Sequence, residues 1–222
     1  MDNIPEKSYG AAMKFGRNAE KAMLKIVADL DLPVLSPIQI SNIQELSYVL
    51  YEREVRITPM NYIEANSGKA NPYHDDVNCQ SVIIAFEARR RGLDCFALPY
   101  SGDKNSDSYK LGEDFAKAFI NSANNKPLQA TRLSGRSDSE IIAKLEKQLK
   151  TARRYILGIN YKNYGHVVSV DVTENGDRIF HDEQDNSYFN PQSLEEVEYL
   201  ELVRIDRAIF NIPLIKSVLG VF

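Results

Sequence analysis

Val77–Pro99 reads VNCQSVIIAFEARRRGLDCFALP, and this stretch decides which fold and which chemistry the chain can have. Its apolar pattern predicts an amphipathic helix from Cys79 to Gly92, followed by a strand over Leu93–Leu98. The N-terminal end of a helix carries a partial positive charge and unsatisfied N–H groups. A cysteine there has its thiolate stabilised, and its own N–H can hold a developing oxyanion. Cys79 is therefore a candidate nucleophile.

Length and composition narrow the class of protein. The chain has 222 residues, a formal net charge of −4 and two cysteines. The length predicts one domain, or one domain with a modest extension, and the charge gives no support for nucleic-acid binding. Two cysteines do not make a disulfide framework, and so few cysteines and histidines argue against a zinc site. No metal or cofactor is expected, and the run Arg89–Arg91 is interpreted as complementing the helix dipole.

The remaining sequence predicts helices first and an antiparallel sheet afterwards, which is an α+β fold. The predicted helices cover Asn18–Leu30, Ser41–Tyr51, 111–123 and 137–152, the last capped by Ser137 or Asp138, and Ile57–Asp76 is predicted to be irregular. The predicted strands cover 154–161, 166–172, 177–183 and 199–206, with Glu174–Asp177 as a hairpin turn between the second and the third.

These elements predict three parts. Residues 1–70 form an N-terminal helical extension, 71–207 a hydrolase domain and 208–222 an apolar tail. The tail is too short to span a bilayer, so it either packs on the protein's own core or docks on a partner or a membrane surface. The polar N-terminus lacks the apolar segment of a secretory signal, and no stretch is long enough for a membrane span.

A thiol hydrolase needs a histidine to accept the cysteine's proton and a third group to orient that histidine. The chain has three histidines. His74 lies in a polar turn, and His181 precedes Asp182 in a strand, where alternation sends the two side chains to opposite faces. His166 opens a strand, and the hairpin turn can make Asp182 its cross-strand neighbour.

From the residues alone, two interpretations stay open. In the first, Cys79, His166 and Asp182 form a catalytic triad. In the second, Cys79 is a small buried hydrophobe and His166 is simply a hydrogen-bonded side chain.

Three segments together resemble the papain-like fold toxin domains of bacterial polymorphic toxins and phage-associated proteins. The segments are NCQSVIIAFEARRRGLDCFALP, RYILGINYKNYGHVVSV and FHDEQ, which match an Asn-Cys helix, a strand before Gly-His and a Phe-x-Asp-Pro-Gln motif. The likeness covers 71–207 and implies a papain-like cysteine hydrolase, with the Cys79 helix packed on an antiparallel sheet. It makes His166 the general base and Asp182 its orienting residue. It also points to Gln184 and Asn78 as oxyanion or binding residues, while Glu183 replaces the motif's proline.

The likeness implies a bacterial effector or toxin that hydrolyses an amide in a protein of a target cell. Deamidation, proteolysis and transglutamination all fit one acyl-enzyme. We expect synthesis in the bacterial cytoplasm, delivery by a specialised secretion system, and a cognate immunity protein. Two alternatives are a phage structural accessory without essential catalysis and a peptidoglycan amidase.

Overall fold

A computed structural model of the protein describes residues 32–66 and 68–222; the helix predicted over Asn18–Leu30 lies outside them. The helices are α1 (Pro37–Tyr51), α2 (Tyr62–Asn66), α3 (Cys79–Arg90), α4 (Asp107–Glu113), α5 (Asp138–Gln148) and α6 (Ile212–Ile215), with 3-10 turns at Phe115–Ala118 and Pro191–Ser193. The strands are β1 (Cys95–Ala97), β2 (Phe119–Asn121), β3 (Thr131–Leu133), β4 (Arg153–Tyr161), β5 (Gly165–Val172), β6 (Arg178–Asp182), β7 (Ser187–Tyr188), β8 (Val197–Arg204), β9 (Ala208–Phe210) and β10 (Leu219–Val221).

A six-stranded antiparallel sheet organises the fold, in the order β3-β8-β4-β5-β6-β7. β5 and β6 form a hairpin, and Gly176 closes its turn at a φ of +89°, a backbone conformation that glycine adopts without strain. One face of the sheet packs on α3, and the other packs on α5. Helices and an antiparallel sheet confirm the α+β class, and the predicted hairpin is confirmed with it.

Helix α3 lies in the middle of the protein. Every residue from Gln80 to Arg90 is buried, so the prediction of an amphipathic helix is wrong. The polar residues near its C-terminal end do not face water, because other elements cover them on all sides. The start of the helix at Cys79 agrees with the sequence-based prediction.

The three arginines at the end of α3 are buried and connect α3 to neighbouring elements. Arg89 bonds the carboxylate of Asp94 and the carbonyl of Ala65, the latter at 2.7 Å. Arg90 lies over the ring of Tyr62, and its guanidinium is 3.9 Å from the carboxylate of Asp171. Their interpretation as residues that complement the helix dipole therefore misses their main role.

Arg91 makes the third of these core connections. Its Nε donates to Glu87 at 2.8 Å and its Nη1 to the carbonyl of Ala208 at 2.7 Å. Arg91 thereby ties α3 to β9, a strand more than a hundred residues further along the chain.

Both ends of the described chain join the same core. Ile43 and Leu46 of α1 pack in one cluster with α3 and with buried apolar residues of the tail. β10 of the tail pairs antiparallel with β1. The tail thus packs on the protein's own core, and the described part of the predicted extension has no core of its own. Within the described ranges, no helix is long and apolar enough to cross a bilayer.

Two predicted helices differ from the structure. α1 begins at Pro37 rather than Ser41, because Gln39 Oε1 accepts a hydrogen bond from the Ser36 N–H and proline is well suited to the first helical position between them. The helix predicted over 111–123 is instead the end of α4, a 3-10 turn and β2. β2 forms because β9 offers it an antiparallel partner, and this contact is not visible in the local pattern.

Candidate active site

Asn78 fixes the point at which α3 begins. Its carbonyl accepts hydrogen bonds from the amides of Ser81 and Val82, at 3.1 and 3.0 Å. Its side-chain Nδ2 donates to the carbonyl of Leu98 at 2.5 Å, which joins the start of the helix to the segment after β1. Because Cys79 is the first residue of the helix, its N–H has no carbonyl one turn earlier to bond and is available for a ligand.

His166 and Asp182 come from neighbouring strands of the hairpin and are hydrogen bonded. His166 Nε2 lies 2.5 Å from Asp182 Oδ2. The hairpin predicted from the sequence therefore brings these two side chains together. The His166 side chain remains 21% exposed, so solvent and substrate can reach the ring.

Cys79 contacts the other side of this pair. Burial lowers the pKa of His166, but hydrogen bonds with Asp182 and with the Cys79 sulfur outweigh burial and hold the pKa well above its ordinary value. The Coulombic attraction of both partners acts in the same direction. The structure thus joins His166 to Asp182 by a hydrogen bond, and the Cys79 sulfur and Asp182 both raise the pKa of His166.

Gln184 lies next to Asp182 and is held by two hydrogen bonds. Its Nε2 donates to the carbonyl of Asp75 at 2.8 Å, and its backbone N–H donates to Asp182 Oδ1 at 3.0 Å. The Asp75 carboxylate in turn accepts from the amides of Val77 and Tyr100. Gln184 therefore links Asp182 to the loop that leads into α3. Its predicted part in an oxyanion hole stays a prediction.

Gln80 is a site residue that sequence reasoning missed. The Cys79 thiol donates to Gln80 Oε1 at 3.4 Å, and Gln80 Nε2 donates to the carbonyl of Ser108 at 3.3 Å. Ser108 also lines a cleft of about 240 Å³, together with residues that include Leu98 and Ser217. A polar residue directly after the candidate nucleophile was the only available signal in the sequence.

The other two histidines do not reach Cys79 in the structure. His74 is exposed in the loop before α3, at a φ of +51°. His181 is fully buried, on the opposite side of its strand from Asp182, as alternation predicts. The choice of His166 as the base stays a prediction, and His166 is a histidine whose pKa the Cys79 sulfur raises.

The arrangement can move a proton and stabilise an anion. A thiolate beside an imidazolium is a nucleophile, and a carboxylate keeps the imidazolium oriented. The Cys79 N–H at the helix start is a donor for a developing oxyanion. Cys95, in contrast, is fully buried, and burial raises the pKa of its thiol to about 12.

Neither a metal centre nor a known relative adds to this geometry. Across the part of the chain that the structure describes, no group of three or more histidine, cysteine, aspartate or glutamate residues is placed to hold a metal ion. Comparison of the chain with protein-family models and with curated proteins gave no match.

Proposed function

We propose that the protein is a cysteine-dependent amide hydrolase that acts through Cys79, His166 and Asp182. The observation that carries this proposal is the hydrogen bond between His166 and Asp182, together with the Cys79 sulfur at the start of α3, which raises the pKa of the same imidazole. Cys79 is also only partly buried, whereas a cysteine that served as a small hydrophobe would be enclosed in the core.

The proposed reaction has two steps. The Cys79 thiolate attacks the amide carbonyl carbon, a C–S bond forms, and the C–N bond breaks as the His166 imidazolium gives its proton to the leaving nitrogen. Water then attacks the thioester and loses a proton to His166, which releases a carboxylic acid and regenerates the thiolate. The Cys79 N–H stabilises the oxyanion in both steps.

The proposed substrate is an amide in a protein. The His166 side chain is 21% exposed, which leaves the proposed base partly open to solvent. The likeness of the Cys79, His166 and Asp182 segments to papain-like toxin domains supports an effector that acts in a target cell and has a cognate immunity protein. Loss of ammonia from a glutamine gives deamidation, and loss of a main-chain amine gives proteolysis.

This proposal is tested by expressing the protein in the cytosol of a target cell and measuring the growth of the cells. We expect the wild type to arrest growth, and Cys79→Ala and His166→Ala to be harmless at equal protein levels. Cys95→Ala is the matched control, because it removes the buried cysteine, which makes no contact with His166 in the structure. Equal toxicity of the wild type and Cys79→Ala would overturn the proposal. Intact-mass measurement of target proteins then separates a gain of about one dalton, which indicates deamidation, from a cleaved fragment.

A further inference from the structure

A second acid–histidine pair lies buried next to Asp182. His181 is 0% exposed and Glu183 is 4% exposed, and these two residues flank Asp182 in the chain. His181 Nδ1 lies 3.1 Å from Glu183 Oε1. The proposed reaction does not use either residue, because its nucleophile, its base and its orienting carboxylate are Cys79, His166 and Asp182.

Hydrogen bonds anchor this buried pair to two other elements. Asn66 of α2 donates through Nδ2 to His181 Nε2 at 2.9 Å. His181 Nε2 also lies 3.3 Å from Asn186 Oδ1. The Ser169 hydroxyl on β5 also donates to Glu183 Oε1, and Tyr62 OH lies 3.1 Å from that hydroxyl. The cluster thus connects α2, β5 and the end of β6.

We propose that the buried pair of His181 and Glu183 positions the Asp182 carboxylate against His166. Both neighbours of Asp182 are held on one side of the strand, so the Asp182 side chain is held on the other side, where His166 lies. The hydrogen bonds of Glu183 Oε1 with His181 and Ser169 fix this arrangement, because a buried hydrogen bond is directional and apolar packing is not. Glu183 occupies the position at which the resembled motif has a proline. Its hydrogen bonds restrict the chain after Asp182, as a proline ring would. The inference rests on the proposed function only in giving His166 its role as a base.

The pH dependence of Cys79 alkylation by iodoacetamide tests the proposal without any substrate. At pH 9 an ordinary cysteine thiol ionises by itself, whereas at pH 6 a thiolate needs a neighbouring cation, here the His166 imidazolium. The ratio of the rates at pH 6 and pH 9 therefore reports how well Asp182 supports His166. Cys95 does not interfere, because burial raises the pKa of its thiol to about 12.

We expect Glu183→Ala to lower this ratio about tenfold, which corresponds to one pKa unit. Glu183→Gln keeps an oxygen that accepts from His181 and Ser169, so we expect it to restore the ratio to within about twofold. The matched control is Glu87→Ala, which removes another buried glutamate, 3% exposed, that bonds Arg91 and Arg154 away from the site. We expect that control to lower the melting temperature and leave the ratio unchanged.

Three results would overturn the proposal. They are a wild-type ratio in Glu183→Ala, the same fall in Glu87→Ala, and a failure of Glu183→Gln to restore the ratio. If Glu183→Ala does not fold, Ser169→Ala removes only one of the two donors to Glu183, and an unchanged ratio in that variant would also overturn it. Failure of the proposed function would instead appear as equal toxicity of the wild type and Cys79→Ala, with the alkylation ratios unaffected.

Discussion

Replacing Arg91 by methionine tests the claim that the arginines of α3 are part of the core. The change removes a charge and keeps a side chain of similar length. Arg91 is fully buried, and in the structure it donates to Glu87 and to the carbonyls of Ala208 and Ile205, at 2.8, 2.7 and 3.2 Å. Its guanidinium also lies over the ring of Phe210, with 4.5 Å to the centroid.

The expected cost follows from these contacts. Removing one partner of a buried ion pair typically costs about 3–5 kcal/mol, because a charge or polar group is left unpaired. Here Glu87 keeps a second partner, Arg154, at 2.7 Å, which reduces the penalty. The two carbonyls lose a charged donor, and methionine cannot replace it. We therefore expect Arg91→Met to lower the free energy of unfolding by about 3 kcal/mol, the lower end of that range.

Urea unfolding followed by far-ultraviolet circular dichroism measures this loss. Arg178→Met is the control, because Arg178 and Glu146 are 3.6 Å apart and each is more than a third exposed. Such surface pairs contribute about 0–1 kcal/mol. If Arg91→Met cost no more than Arg178→Met, the structural role of the arginine run would be refuted. The rate of Cys79 alkylation should be unchanged in the folded Arg91 variant, because Arg91 lies beyond the opposite end of α3 from Cys79.

Three further predictions concern the site. Asp182→Asn should lower the pKa of His166, since the carboxylate that raises it is gone, and nuclear magnetic resonance of the imidazole measures the shift. In the wild type, the stability that His166 contributes should be complete below its unfolded pKa of about 6.5. It should be lost as the pH rises through the raised pKa of the folded state. His166→Gln should therefore flatten the decline of the unfolding free energy in that pH window. A thiol reagent should titrate Cys79 alone in the native protein and Cys95 as well after unfolding; two fast native thiols would contradict the burial of Cys95.

Local patterns predicted the hairpin that carries half of the site. β-branched residues on both sides of Asn175-Gly176 define two strands and the turn between them. Antiparallel pairing then brings the two strand ends level, and the hydrogen bond between His166 and Asp182 follows from that geometry. The first residue of α3 was predictable for a similar reason, because the helical pattern of apolar residues starts directly after Asn78.

Pairing between distant segments defeated local reasoning. The strands β2, β9 and β10 were not predicted: β2 pairs with β9, and β10 pairs with β1, whose own position was predicted. Three-residue strands have too few residues to show alternation. The pattern over 111–123 therefore predicted one helix, where β9 in fact provides the partner for a strand.

The sequence by itself determined the α+β class, the hairpin and the start of α3, because these depend on periodicity, capping and turn chemistry within short segments. Only the tertiary structure decided which surfaces are buried. The run Arg89–Arg91 was interpreted as complementing the helix dipole, and the tertiary structure shows that Arg91 bonds Ala208 and that Arg90 lies near Asp171. No local pattern gave His181 and Glu183 a role, and the tertiary structure shows that they are buried and bonded to Asn66 and Ser169. The physical reason is that burial of a charge depends on acceptors contributed by other elements, and no local pattern records where those acceptors will be.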